Sequence, residues 1–135
     1  MTEQAQSVAT AFVTARRAAR ALADYPGAPP QDLAAAYSIQ DAAIRLDGRT
    51  VAGWKVGRIW PPLDGQLGAN RLSGPVFADE VVSAANGEVP AMPVFEGGFA
   101  AGEAELLLHV AAGWNGVAPN DDAGTRAIID EVRLG

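Results

Sequence analysis

Apolar positions recur at helical spacing at the start of the chain. Val8, Phe12, Ala15, Ala19 and Leu22 form one stripe, which predicts a helix over Gln4–Ala23. Arg16, Arg17 and Arg20 lie mostly off that stripe, on a face expected to be solvated. Tyr25-Pro26-Gly27 and Pro29-Pro30 break the pattern. Gln31-Asp32 then starts a second helix that runs through Leu33, Ala36, Tyr37, Gln40 and Ile44. Gly48 is its expected stop, because glycine adopts the left-handed conformation without penalty.

Beyond Gly48 the period shortens. Thr50–Val56 is rich in β-branched and aromatic residues and predicts a strand. Pro61–Gly74 has the composition of an ordered loop. Val76-Phe77 and Val81-Val82 are short strand candidates. Asn86-Gly87, between Val82 and Val89, suits a hairpin turn. Pro90 and Pro93 keep the following piece extended or at an edge. Glu103–Ala111 predicts another strong strand, and Trp114-Asn115-Gly116 a turn. Asp121-Asp122 can cap a last helix holding Ile128, Ile129 and Val132. The fold class expected is α+β, with two N-terminal helices against a mostly β body.

Composition narrows the function. The chain has 135 residues, 49% apolar and 19% charged, which is globular in character. A net charge of −6 with dispersed Lys and Arg disfavours a nucleic-acid groove. There is no cysteine, hence no disulfide, thiolate site or Cys nucleophile. The polar opening and the absence of a long apolar run point to no signal peptide and no membrane partner. A cytoplasmic protein is expected.

Three places could carry chemistry. In a strand, Glu103 and Glu105 would share one face, with Ala104, Leu106 and Leu108 on a buried opposite face. Two adjacent carboxylates repel unless a cation neutralises them, and a hard ion such as Mg²⁺ or Mn²⁺ does so with oxygen ligands. The plainer reading is a solvated acidic face. Lys55 would share its face with Gly53 and Gly57, leaving room beside the ammonium for a carboxylate. Trp54 and Val56 would point into the core, and a surface lysine on a bulged strand is the plainer alternative. His109 falls on the same face as the two glutamates and could be a donor near them, or simply a boundary residue.

The order of these pieces is a further signal. Ala36-Tyr37-Ser38-Ile39-Gln40 precedes Val51-Ala52-Gly53-Trp54-Lys55-Val56-Gly57. Gly74-Pro75-Val76-Phe77 and Gly102-Glu103-Ala104-Glu105 follow. From Tyr37 to the end, the chain resembles the N-terminal half of the 2-oxopent-4-enoate (2-keto-4-pentenoate) hydratase and 4-oxalocrotonate decarboxylase family, in the fumarylacetoacetate hydrolase superfamily. The resemblance implies a mixed β-sandwich or roll, with a helical segment over 1–48 and the first part of a catalytic roll over 49–135. It implies a homo-oligomer, or a partner that supplies the remaining half. It also implies Mg²⁺ or Mn²⁺ on Glu103 and Glu105, with Lys55 catalytic and lining the substrate pocket. The substrate would be a small 2-oxo or 2-hydroxy-dienoate acid of aromatic-compound catabolism. In the hydratase, water adds to the conjugated double bond; in the decarboxylase, CO₂ leaves.

The match departs in three places. Arg58-Ile59-Trp60-Pro61-Pro62 stands where the family carries a Thr-Ser-Pro-like run, so Trp60 would reshape the pocket. Arg71-Leu72-Ser73 lacks an acid found in characterised hydratases. The third acidic ligand is expected one helix and one strand start beyond the glutamate pair, at or past Gly135, because Asp130 and Glu131 read as part of the last helix. A fragment, a truncated product or a partner-completed subunit is therefore expected. A silent oligomerisation module and an acylpyruvate hydrolase are the competing readings.

Overall fold

The computed structural model describes residues 2–84 and 87–135. It is α+β: four helices, a short 3-10 turn and two antiparallel two-stranded sheets among the described residues. They divide into two compact units, Met1–Phe99 and Ala100–Gly135. No helix among the described residues is long and apolar enough to cross a membrane.

In the first unit, α1 (Glu3–Arg17) is capped by the Thr2 hydroxyl, which accepts from the Ala5 N–H at 3.2 Å. It packs against α2 (Leu33–Asp47) through small side chains. Ala5, Val8, Ala9 and Val13 of α1 and Ala42 of α2 are buried, together with Ile59 and Phe77. The boundaries of α2 are those expected. The Asp32 carboxylate accepts from the Ala35 N–H at 2.7 Å, and Gly48 closes the helix at φ 75°.

α1 ends six residues earlier than its apolar stripe predicts. Ala19 turns to φ 50°, and the chain then pairs with a distant segment. The Glu96 N–H donates to the Ala19 carbonyl at 2.9 Å, and the Ala21 N–H to the Glu96 carbonyl at 3.2 Å. These long-range bonds take the backbone groups that further helix would have used.

Strand β1 (Val51–Arg58) pairs antiparallel with β2 (Arg71–Phe77), placing Lys55 opposite Gly74 and Trp54 opposite Pro75. The segment expected to be loop therefore holds the start of β2 and a short helix, α3 (Leu63–Leu67). Val81-Val82 forms no strand. The Asn86-Gly87 turn lies partly outside the described residues, at Asn86. Tyr37 ties α2 to the sheet, its hydroxyl accepting from the Ser73 N–H at 3.0 Å. The hydrogen bonds from the Ser73 side chain and backbone hold the phenol below its usual pKa.

A charged cluster joins these elements. Arg49 Nε meets Asp47 Oδ1 at 2.6 Å, and its NH1 reaches Glu80 at 2.9 Å and Asp79 at 3.2 Å. The same guanidinium lies 4.0 Å from the ring centre of buried Phe77. Arg16, expected on a solvated face, sits 5.5 Å over that ring and 3.5 Å from Glu80. Arg17 donates to the Leu46 carbonyl at the end of α2, at 2.9 Å. The arginines of α1 are thus tertiary contacts, because the turn after β2 and the end of α2 bring carboxylates and open carbonyls to them.

In the second unit, β3 (Leu106–Val110) pairs antiparallel with β4 (Ile129–Leu134). Between them α4 (Asp122–Ala127) starts at Asp121, whose carboxylate accepts from the Gly124 N–H at 2.7 Å. The cap is as expected, but the helix is short. Ile129, Asp130, Glu131 and Val132 belong to a strand rather than to the helix. β-branched Ile128, Ile129 and Val132 favour extended backbone, and the open edge of β3 supplies their partners.

Two changes test this description. Asp32→Ala should lower unfolding stability by about 1 kcal/mol in urea titration, through loss of the cap. The hydrogen bond from Arg49, foremost, holds the Asp47 carboxyl below its usual range, and that side chain is only 5% exposed. A depressed folded pKa gives stability that is full above about pH 4 and lost as pH falls through the folded value. Arg49→Gln should therefore cost about 2 kcal/mol at pH 7 and flatten the acid-side loss, both read from urea midpoints between pH 2 and 7.

Candidate functional site

Lys55 stands at the centre of β1 on a sheet face where glycines are its nearest neighbours, with Val76 opposite Gly53 and Leu72 opposite Gly57 on the same face. Gly53 and Gly57 flank it along the strand, and Gly74 lies directly opposite on β2. A Cβ at Gly53 or Gly74 would meet nothing within 4 Å, and one at Gly57 would only touch Leu72 at 3.4 Å. Gly53 and Gly57 flank Lys55 as alternation predicts, and Gly74 is the neighbour that one-strand alternation missed. Its signal was its place in the Gly74-Pro75-Val76-Phe77 motif. What the patch offers is an ammonium beside three glycines, with room for a planar carboxylate to approach the backbone.

The reverse face differs from expectation. Trp54 is 53% exposed and Val56 60% exposed, so neither is core. The buried side chains lie on α1, α2, Ile59 and Phe77, and that cover stops short of them. Trp60 is also exposed and carries the Arg58 guanidinium 4.1 Å from its ring centre.

Glu103 and Glu105 belong to the second unit and precede β3 instead of lying within it. Glu105 still extends the ladder. Its N–H donates to the Gly135 carbonyl at 2.7 Å, and the Gly135 N–H returns to its carbonyl at 3.1 Å. Alternation along 105, 107 and 109 then puts Glu105 and His109 on one face, with Glu131 opposite His109. His109 Nδ1 lies 2.5 Å from Asp130 Oδ1, reached across the irregularity between His109 and Val110. Arg133 donates twice to Glu131, which holds that carboxyl below its usual pKa. The opposite face, expected to be buried, is exposed: Leu106 by 69%, Leu108 by 56% and Leu134 by 84%. A two-stranded sheet has no second layer of its own to cover it.

Among the described residues, no three His, Asp or Glu side chains are gathered as a metal cluster. A cleft of the first unit lies among α1, α2 and residues 20–25 and 95–99, and Lys55 does not line it. No family model, curated protein or solved structure matches this chain.

If the glycines around Lys55 serve a ligand and not the fold, Gly74→Ala should keep or raise stability by about 0.4–1 kcal/mol. A thermal or urea comparison with the parent checks this; a clear loss would assign Gly74 a structural role.

Proposed function

We propose that the chain is a divalent-metal-dependent hydro-lyase that hydrates 2-hydroxy-2,4-dienoate or 2-oxo-4-enoate acids, on a roll of the fumarylacetoacetate hydrolase type. A 2-oxo-acid decarboxylase is its nearest variant. The observation that carries the proposal is Lys55 with Gly53 and Gly57 beside it and Gly74 opposite, on a face bordered by Leu72 and Val76. Such a face suits a small carboxylate, with Lys55 as a point charge.

Glu103 and Glu105 are the residues that would hold Mg²⁺ or Mn²⁺, and their donor chemistry fits: carboxylate oxygens, with no thiolate in the chain. When bound, the ion supplies Lewis-acid stabilisation of negative charge on the substrate's 2-oxygen. Asp130 and Glu131 lie in β4, the strand that follows α4 after the glutamate pair. Both carboxylates already have cationic or imidazole partners, His109 and Arg133. Lys55 holds the substrate carboxylate and keeps a proton at Nζ within the open patch.

A second reading has its own observation. Leu106, Leu108, Val132 and Leu134 form an exposed apolar sheet face, as a silent assembly module would carry. Calorimetric titration of Mg²⁺ and Mn²⁺ separates the two. The hydro-lyase requires binding by the parent and its loss in Glu103→Gln/Glu105→Gln, together with turnover of 2-hydroxypenta-2,4-dienoate. Lys55→Met should raise KM for that substrate by about tenfold, the loss of one charge-assisted contact. Folded parent that binds neither metal would leave the module reading.

A further inference from the structure

We infer that the cleft of the first unit is a binding site for a free aromatic α-amino acid, separate from the Lys55 patch. The cleft encloses about 820 Å³, within the range of small-ligand sites. It exists because α1 stops at Arg17: residues 18–25 leave the helix axis, and Ala19 and Ala21 pair with Glu96. Its walls are Phe12, Tyr25, Ile39, Ile44 and Phe95. Phe12 and Tyr25 meet edge to face at 5.6 Å, a geometry that leaves ring surface open for a third aromatic group.

The charges in the lining select the ligand. Arg16 and Asp47 also border the cleft, but Arg16 is committed to Glu80 and Asp47 to Arg49. Arg20 and Asp24 remain. Among the described residues neither side chain has a hydrogen bond or ion pair. One uncommitted cation and one uncommitted anion beside an aromatic pocket complement a zwitterion with an apolar ring. The carboxylate belongs to Arg20 and the ammonium to Asp24. A purely anionic or purely cationic amphiphile would leave one of the two facing a like charge.

The test uses the whole chain and three probes of one ring size: L-phenylalanine, 3-phenylpropionate, which lacks the amine, and phenethylamine, which lacks the carboxylate. Binding is followed by amide NMR shifts in α1, α2 and residues 20–25. L-Phenylalanine should bind most tightly, each single-charge probe being about three- to fivefold weaker, as for partly exposed ion pairs. Arg20→Gln should abolish the advantage of L-phenylalanine over phenethylamine, and Asp24→Asn its advantage over 3-phenylpropionate. Both side chains lie on the surface, so the variants keep the fold. Equal binding of all three probes, no binding, or shifts confined to β1 and β2 would overturn the assignment. Lys55→Met should leave L-phenylalanine binding intact, so the site stands or falls independently of the hydro-lyase.

Discussion

Most of the first unit depends on one guanidinium. Arg49 follows α2 after a single glycine, returns to pair with Asp47, spans to Asp79 and Glu80 after β2, and lies 4.0 Å from the ring centre of Phe77. Phe77 is 2% exposed and ends β2, so the contact fixes strand and helix together. Arg16 approaches the same ring from α1. A largely buried carboxylate such as Asp47 is tolerable only with its cation in place, which makes the cluster cooperative. The alanine-rich helix interface has little bulk, Val8 being its largest fully buried side chain. Charge and cation–π contacts therefore carry an unusual share of the positioning.

The same constraint shapes the surfaces available for ligands. On the sheet face around Lys55, glycines occupy the flanking positions on β1 and the opposite position on β2, with Leu72 and Val76 at its diagonals. On the helical side, the exit of the chain at Ala19 opens an aromatic cleft whose committed charges are those of the Arg49 cluster. One cluster thus fixes the frame, and two chemically different surfaces remain beside it: a glycine-rich sheet face with Lys55, and an aromatic cleft with a charge of each sign.

The second unit follows a different logic. Strand alternation puts Glu105, His109, Glu131 and Arg133 on one face together with Leu107, and Leu106, Leu108, Val132 and Leu134 on the other. The polar face is dense in acids, with His109 and Arg133 already engaged by two of them. The apolar face stays exposed because a two-stranded sheet has no second layer of its own.

Local signals were sufficient where a single residue dictates backbone geometry. Asp32 and Gly48 bound α2, and Asp121 starts α4, because caps and left-handed turns are decided within a few residues. The placement of Gly53 and Gly57 on the Lys55 face was legible too, since alternation alone puts them there. Tertiary structure decided the rest. Alanine-rich sequence after Arg17 is compatible with helix, and only pairing with Glu96 ends it. Ile129–Leu134 can be read as helix or strand, and the vacant edge of β3 chose strand. Gly74 joined the patch, and Arg16 and Arg17 became structural, through partners distant in sequence. Trp54 and Val56 look like core by composition. Their exposure reflects how far the helical cover reaches, and periodicity along one strand carries no information about that.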